Sequence, residues 1–377
     1  MAKKILFFYL TKYSGHYAAA VAVEEALRSL DPSVETLLID SFSHTNPVLS
    51  KVTLKAYLAV LRTVPEVWEF LYDNPEFKTA TKQIRELLNR GNSKKLQKVL
   101  LDFAPDAVVC TQGFACGVMA SWKRSMAGTP QANLKLIAVL TDYVAHRYWG
   151  DPQVDMYIAP GTDTGLALQT QGVDPARIRT VGMPVHHAFN RPVNRDAVIQ
   201  SLGLSSNLPK VLVMGGSLGL GPIKSVIRKL DRLPQPFDIL CITGSNNELK
   251  DALARKHDKR RHLIKVMGFV DNINELMEIS DMIVTKPGGM TTTEALIKGL
   301  PMIIIKPIPG QEAKNTQFLL AHNVAVNAQS TTDVANYVAE FFRNPSHLQS
   351  MRAASASLGR PNAALDAARE ILRLTGR

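Results

Sequence analysis

The chain has 377 residues, 46% of them hydrophobic and 20% charged, with 23 Gly and 21 Pro, a composition that excludes collagenous, low-complexity and disordered classes. Its three cysteines, Cys110, Cys116 and Cys241, show no zinc-like or redox spacing and support no disulfide framework, which points to a reducing cytoplasm. The net charge of +11 is uneven, with 20 basic against 17 acidic side chains in residues 1–185 and 24 against 16 in residues 186–377, and it favours anionic partners.

The opening MAKKILFFYLTK carries an apolar run too short for a secretory h-region, with no small-residue cleavage site behind it, and reads as a buried strand. No stretch reaches the roughly 20 apolar residues a membrane span needs. Short apolar runs then alternate with helical patterns. They predict strands at 4–10, 36–40, 107–110, 136–140 and 155–158, and again at 211–214, 239–243, 263–267, 282–284 and 302–305. Continuous Val/Ile/Leu runs separated by helices indicate parallel strands covered on both faces. The pattern restarts after GMPVHHAFNRPVNR at 182–195, a proline-rich stretch without periodicity. The expected architecture is α/β, two Rossmann-like domains with parallel sheets facing across a cleft, spanning 1–188 and 196–377, the terminal helix packing back on the first.

Between the first strands lies VLSKVTLKAYLAVLRTVPEVWEFLYDN at 48–74. At helical spacing Leu54, Tyr57 and Leu58 share a stripe with Leu61, flanked by Lys51, Lys55 and Arg62. Trp68, Phe70 and Tyr72 follow Pro65. Two readings fit: an ordinary amphipathic helix packed on its own domain, or a surface that docks in a headgroup region. The basic run RKHDKRRHLIK at 255–265 is either a solvated face or an anion-attracting patch; no aromatic interleaving or recognition motif suggests nucleic acid.

Each half opens with a strand, a glycine-containing turn and a helix. The first turn holds Gly15 and His16; the second, GGSLGLG at 215–221, holds Gly216 and Ser217. Such turns let backbone N–H groups approach a phosphate, with the helix N-terminus favouring its charge. Neither turn is a P-loop or a G-x-G-x-x-G fingerprint, and alone each is weak evidence.

The densest stretch is VTKPGGMTTTEALIKGLPMIIIKPIPGQEAKN at 284–315. It predicts a turn at Lys286–Gly289, a helix from about Thr291 to Lys298 stopped by Gly299 and Pro301, a buried strand, and a second helix near Gln311. Gly288 and Gly289 offer backbone donors, Thr291 and Thr292 hydroxyls, and Glu294 a carboxylate suited to vicinal hydroxyls such as those of a ribose. Gln311, Glu312 and Asn315 have the chemistry to hydrogen-bond a hexose. Singly, Glu294 would serve the helix dipole and Thr291 would cap. As a cluster, beside a second glycine loop, they read as a nucleotide-sugar clamp.

This stretch closely resembles the C-terminal signature of the monogalactosyldiacylglycerol synthase and processive diacylglycerol glucosyltransferase family, which in turn resembles the muropeptide N-acetylglucosaminyltransferase of cell-wall synthesis. SGHYAAA near the start, TDYVAHRYW at 141–149, GMPVHHAF at 182–189 and GGSLGLG extend the likeness over nearly the whole chain. The resemblance implies a GT-B fold, an inverting mechanism and a UDP-sugar donor. It further implies that Glu294 holds the ribose, that Gly216, Ser217 and the Gly288–Met290 turn face the diphosphate, and that the backbone at Phe269 and Val270 meets uracil. Gln311, Glu312 and Asn315 would meet the sugar. One departure is the first loop, Tyr13-Ser14-Gly15-His16, where the family is commonly richer in glycine.

No D-x-D sequence occurs, so no bound metal is expected to stabilise the leaving diphosphate; helix N-termini and fixed N–H groups would do so, with no cofactor. An acceptor hydroxyl needs a general base, and His16 is the first candidate. Asp142 and His146 are rival bases, Asp142 alternatively the orienter of His16, and His146 and Trp149 extend the acceptor and membrane side. His186 and His187, in the linker, read as structural. The expected function is hexose transfer from a UDP-sugar to diacylglycerol by an enzyme peripherally attached to an anionic membrane surface at its cytoplasmic face. The alternatives are N-acetylglucosaminyl transfer to a lipid-linked muropeptide or another lipid, a UDP-sugar epimerase of the same fold, and a non-catalytic UDP-sugar sensor.

Overall fold

The structure is a computed structural model that describes residues 2–12, 14–41, 97–146, 149–255 and 260–376. The stretch 48–74, with Leu54, Tyr57, Leu58, Trp68 and Tyr72, lies outside the described residues. The chain divides into two compact units, Met1–His187 with Pro309–Gln311 and Asn362–Arg377, and Ala188–Ile308 with Glu312–Pro361.

The first unit holds β1 (Lys4–Tyr9), β2 (Glu35–Asp40), β3 (Ala107–Cys110), β4 (Lys135–Val139), β5 (Met156–Ile158) and β6 (Ile178–Arg179), all parallel, in the order β2-β1-β3-β4-β5-β6. Its unbroken apolar strands follow from burial on both sides. Leu6, Phe8, Val108 and Cys110 enter one core with the helix Gly113–Ser125, while Ile5, Phe7, Ala107 and Val109 enter the other with the helix Gly15–Leu30. The last helix, Ala363–Leu374, belongs to this second core through Ala364, Ala367, Ala368 and Ile371, and the Arg179–Glu370 ion pair at 2.9 Å secures it.

The second unit repeats the plan with β7 (Lys210–Met214), β8 (Asp238–Ile242), β9 (Ile264–Met267), β10 (Met282–Thr285), β11 (Met302–Ile305) and β12 (Ala325–Ala328), in the order β12-β11-β10-β7-β8-β9, again all parallel. The ten expected strands are present with boundaries shifted by a residue or two. The pattern reading missed β6 and β12: one is a two-residue strand and the other, AVNA, is interrupted by Asn327. The basic run around residue 260 is partly absorbed into this unit. Asp231 accepts the Arg261 and His262 backbone N–H groups, His262 stacks on Phe237 at 4.2 Å, and Lys265 lies in β9. Among the described residues no helix is long and apolar enough to cross a membrane.

Candidate active site

Both sheets reverse their strand order, the first between β1 and β3, the second between β7 and β10. In open parallel sheets the loops diverge at such a point and leave a crevice at the strand carboxyl ends, where ligands bind. In the first unit His16, and in the second Gly216, Ser217 and the Gly288–Met290 turn, follow the strands that flank that point.

In the first unit, the chain leaves β1 through Thr11, held in the left-handed region at φ 54°, and Ser14 caps the next helix by accepting the Tyr17 N–H at 3.3 Å. The Ser14 hydroxyl donates to the Thr11 carbonyl at 2.8 Å and also to the Leu10 carbonyl. This tight turn places Gly15 and His16 in the helix's first turn. His16 Nδ1 lies 2.9 Å from the Thr111 carbonyl oxygen, beyond β3, and 2.9 Å from Thr141 Oγ1, beyond β4. A carbonyl only accepts, so Nδ1 carries the proton and donates it, and Nε2 keeps its lone pair. Burial lowers the imidazole pKa to about 4, against the opposing pull of the Thr111 hydrogen bond, so the ring is neutral at ordinary pH. Nδ1 is thus held by Thr111 and Thr141, two partners the pattern reading missed. Thr111 acts through its backbone, which leaves no side-chain signal; Thr141 stands directly before Asp142.

Trp149 requires a correction. The membrane contact expected of it does not fit a side chain only 5% exposed, packed over Gly113 in the first unit's core, with its carbonyl accepting the Tyr157 hydroxyl at 3.0 Å. A buried indole cannot meet a bilayer. His146 and Asp142 are both partly buried in the same loop.

In the second unit the loops after β7, β8 and β10 interlock. A Cβ on Gly219 would stand 2.0 Å from the Thr243 carbonyl oxygen, and the Ser245 N–H donates to the Ser217 carbonyl at 2.9 Å. Gly219 is also left-handed, at φ 59°. Gly219→Ala is expected to destabilise the protein by about 3 kcal/mol, the left-handed penalty of about 1–2 added to overpacking of similar size. Scanning calorimetry would read this as a lowered Tm, and an unchanged Tm would mean that the loop relocates freely.

Across the switch point, Lys286 reaches over the glycine loop: its Cε is 3.4 Å from where a Gly216 Cβ would stand. Its Nζ meets Glu312 Oε1 at 2.5 Å, and Glu312 Oε2 accepts the Ile308 N–H at 2.8 Å. Asn315 is fully buried and donates to the Pro287 carbonyl at 3.1 Å. The expected sugar contacts of Glu312 and Asn315 therefore have a different first task, since both side chains are engaged in shaping the Lys286–Gly289 turn. Gln311 opens the helix Gln311–Ala321. Lys286 itself was missed; its signal was a lone lysine between the end of a buried strand and Pro-Gly-Gly.

The helix expected from Thr291 begins earlier, at Gly289, with Gly288 before it and no side-chain cap. Thr291 is therefore interior and does not cap. Thr292 and Thr293 donate their hydroxyls to the Gly288 and Gly289 carbonyls of the preceding turn, which removes Thr292 from the donors on offer. The N–H groups of Gly289, Met290 and Thr291 precede the first intrahelical bond, made by the Thr292 N–H, and leading N–H groups of this kind suit an anion. Glu294 lies past the first turn, so dipole compensation does not explain it. Its surroundings offer too little water to its charge, and burial raises its pKa to about 8. Phe269 is 58% exposed beyond β9, with Val270 beside it.

Comparison with known proteins gives the same outline. The monogalactosyldiacylglycerol (MGDG) synthase family matches residues 16–185, and the glycosyltransferase family 28 C-terminal domain matches residues 210–367. A processive diacylglycerol beta-glucosyltransferase of Bacillus pumilus is 26% identical over 94% of this chain and 91% of its own length, and one of Bacillus cereus is 27% identical over 93% and 88%. Among solved structures, Acinetobacter baumannii MurG superposes with a TM-score of 0.65 at 16% identity, covering 98% of this chain and 99% of that one. The UDP-GlcNAc 2-epimerase of Neisseria meningitidis bound to UDP-GlcNAc does so with a TM-score of 0.65 at 14% identity, over 98% and 100%. The two domain matches in tandem, the relatives spanning both and the paired parallel sheets establish a glycosyltransferase of GT-B fold whose first region matches the monogalactosyldiacylglycerol synthase family and whose second matches the glycosyltransferase family 28 C-terminal domain, the whole resembling the processive diacylglycerol glucosyltransferases.

Proposed function

We propose that the protein is an inverting hexosyltransferase that moves a sugar from a UDP-hexose to diacylglycerol at the cytoplasmic face of a membrane. The observation that carries the chemistry is the 2.9 Å contact of His16 Nδ1 with the Thr111 carbonyl oxygen, which selects the tautomer. Its Nδ1–H donates to the Thr111 carbonyl, which leaves the Nε2 lone pair to take the proton of an acceptor hydroxyl. As the anomeric carbon loses UDP it becomes oxocarbenium-like. The attacking hydroxyl grows acidic only as its new bond forms, so a base held neutral and ready suffices.

The leaving diphosphate gains negative charge as the glycosidic bond breaks. The leading N–H groups of Gly289, Met290 and Thr291, the Gly216–Ser217 backbone and the Lys286 ammonium stabilise it, and no metal is required for that task. Glu294 accepts the ribose hydroxyls, the Phe269–Val270 backbone meets the base, and Gln311 contacts the sugar, with Glu312 and Asn315 holding the loop beneath it. Gly15 shapes the turn that presents His16. Asp142 and His146 line the acceptor side. The diacylglycerol acceptor is supported by the names of the Bacillus relatives, the UDP-linked donor by nucleotide complexes among the fold's neighbours, and the attraction to an anionic membrane surface by the chain's net charge of +11.

The test is UDP release from UDP-glucose, UDP-galactose and UDP-N-acetylglucosamine, each with and without diacylglycerol in anionic vesicles. Release from a UDP-hexose that depends on diacylglycerol is the expected result. Conversion of the donor without any lipid would replace the proposal with an epimerase, and binding with the donor left intact would replace it with a sensor.

A further inference from the structure

On the first helix, Glu25 faces the residues at which the chain leaves the first unit. Its Oε2 stands 3.2 Å from His186 Nε2 and 3.3 Å from His187 Nδ1. The two imidazole rings lie 4.2 Å apart at 37°, and the three potential ligand atoms are all within 4.8 Å of one another. Two neighbouring histidines thus turn different ring nitrogens toward a single carboxylate oxygen.

The two carboxylate-to-imidazole spacings suit a coordination shell. Metal–nitrogen and metal–oxygen bonds of about 2.0–2.2 Å in a tetrahedron give ligand–ligand edges of about 3.3–3.6 Å. The carboxylate-to-imidazole distances fall at that edge. The side chains of Glu25, His186 and His187 are 40, 47 and 48% exposed, which leaves a path for an ion and room for water at the remaining position. Two imidazoles and one carboxylate form a borderline donor set that suits zinc and its neighbours and is poor for calcium or magnesium, which prefer oxygen throughout.

We propose that Glu25, His186 and His187 form a three-ligand site for a divalent transition metal, with Zn2+ as the probe ion, separate from the glycosyl-transfer residues. His187 is the last residue of the first unit's long segment before the chain passes to the second, and Glu25 shares its helix with His16. A bound ion would tie this exit segment to the helix that carries the candidate base. The site is a means of fixing that segment and has no role in stabilising the diphosphate.

The experiment uses the full-length chain without an affinity tag, stripped by a chelator, titrated with Zn2+ by calorimetry and with Co2+ by visible absorption. One equivalent is expected to bind, with the intense visible bands of a four-coordinate cobalt site, and Mg2+ is expected not to compete. Glu25→Gln and the double variant His186→Ala/His187→Ala should each weaken Zn2+ binding at least tenfold. All three side chains are at the surface, so both variants should keep the wild-type Tm without metal. A variant with a lowered Tm would be replaced by His187→Gln, which keeps polarity and bulk. Unchanged affinity in folded variants, or less than half an equivalent bound by the wild type, would overturn the proposal and leave two Glu–His hydrogen bonds.

Discussion

His16→Ala is expected to lower the transfer rate by about 10²–10⁴-fold, the usual contribution of a positioned general base, while leaving affinity for UDP within about twofold. The separation follows from placement, since His16 lies at the first unit's switch point and the proposed nucleotide contacts belong largely to the second. Single-turnover rates and calorimetric UDP binding check the two halves of this expectation. A variant turning over near the wild-type rate would remove His16 as the base. The acid limb of the pH profile offers an independent reading. A free histidine would begin to fail below about pH 6.5, whereas His16, with its pKa lowered to about 4, stays neutral well below that. The acid limb of kcat, taken at donor concentrations that saturate at each pH, should therefore lie nearer pH 4, with turnover flat from pH 7.5 down to about 5.5. The same shift bears on stability. The unfolded chain takes up a proton at His16 below pH 6.5 and the folded one does not, so this group's contribution to stability declines as pH falls from 6.5 toward 4.

The fold was legible because parallel strands buried on both faces need unbroken apolar runs. Residues 211–214 and 302–305 could hardly be anything else. Turns rich in glycine and proline marked where these strands ended, and strand ends at a switch point are where sites form. What stayed illegible was mostly what depends on backbone or on long-range pairing. Thr111 orients His16 with a carbonyl that every residue type possesses. Lys286 and Glu312 are 26 residues apart and pair only after two loops converge. Trp149 misled for the opposite reason. An aromatic in a polar, histidine-containing stretch looks exposed, yet its indole fills space above Gly113. Thr291 illustrates a boundary error: with two glycines preceding it, the helix was read as starting at the first residue with a capping side chain, whereas glycine itself occupies the entry.

Glu294→Gln is expected to stabilise the free protein and cripple donor binding at once. At pH 7 a carboxyl with its pKa raised to about 8 is largely protonated in the fold, while the unfolded chain ionises it near the ordinary value of 4.5. The unfolded state binds fewer protons, so stability falls as pH rises from about 4.5 to 8. Glutamine is neutral throughout and removes that slope. Since Glu294 retains some contact with solvent, the gain at pH 7 is on the order of 1–3 kcal/mol, visible as a raised Tm. Donor binding should move the other way. Two ribose hydroxyls donating to an ionised carboxylate make charge-assisted hydrogen bonds worth about 1.5–3 kcal/mol each. Losing the charge should weaken UDP-hexose affinity by at least about tenfold. The wild type must also shed a proton to form those bonds, so its affinity should climb with pH between about 6 and 8, by up to about tenfold per unit, and level off above. The variant should show no such climb. A UDP-hexose is the right probe because its esterified diphosphate has no ionisation of its own in that range, unlike free UDP. Calorimetric titrations at several pH values, in the absence of lipid acceptor, would measure both proteins. A pH-independent wild type, or a variant that binds the donor normally, would detach Glu294 from the ribose and leave its raised pKa without a ligand to explain it.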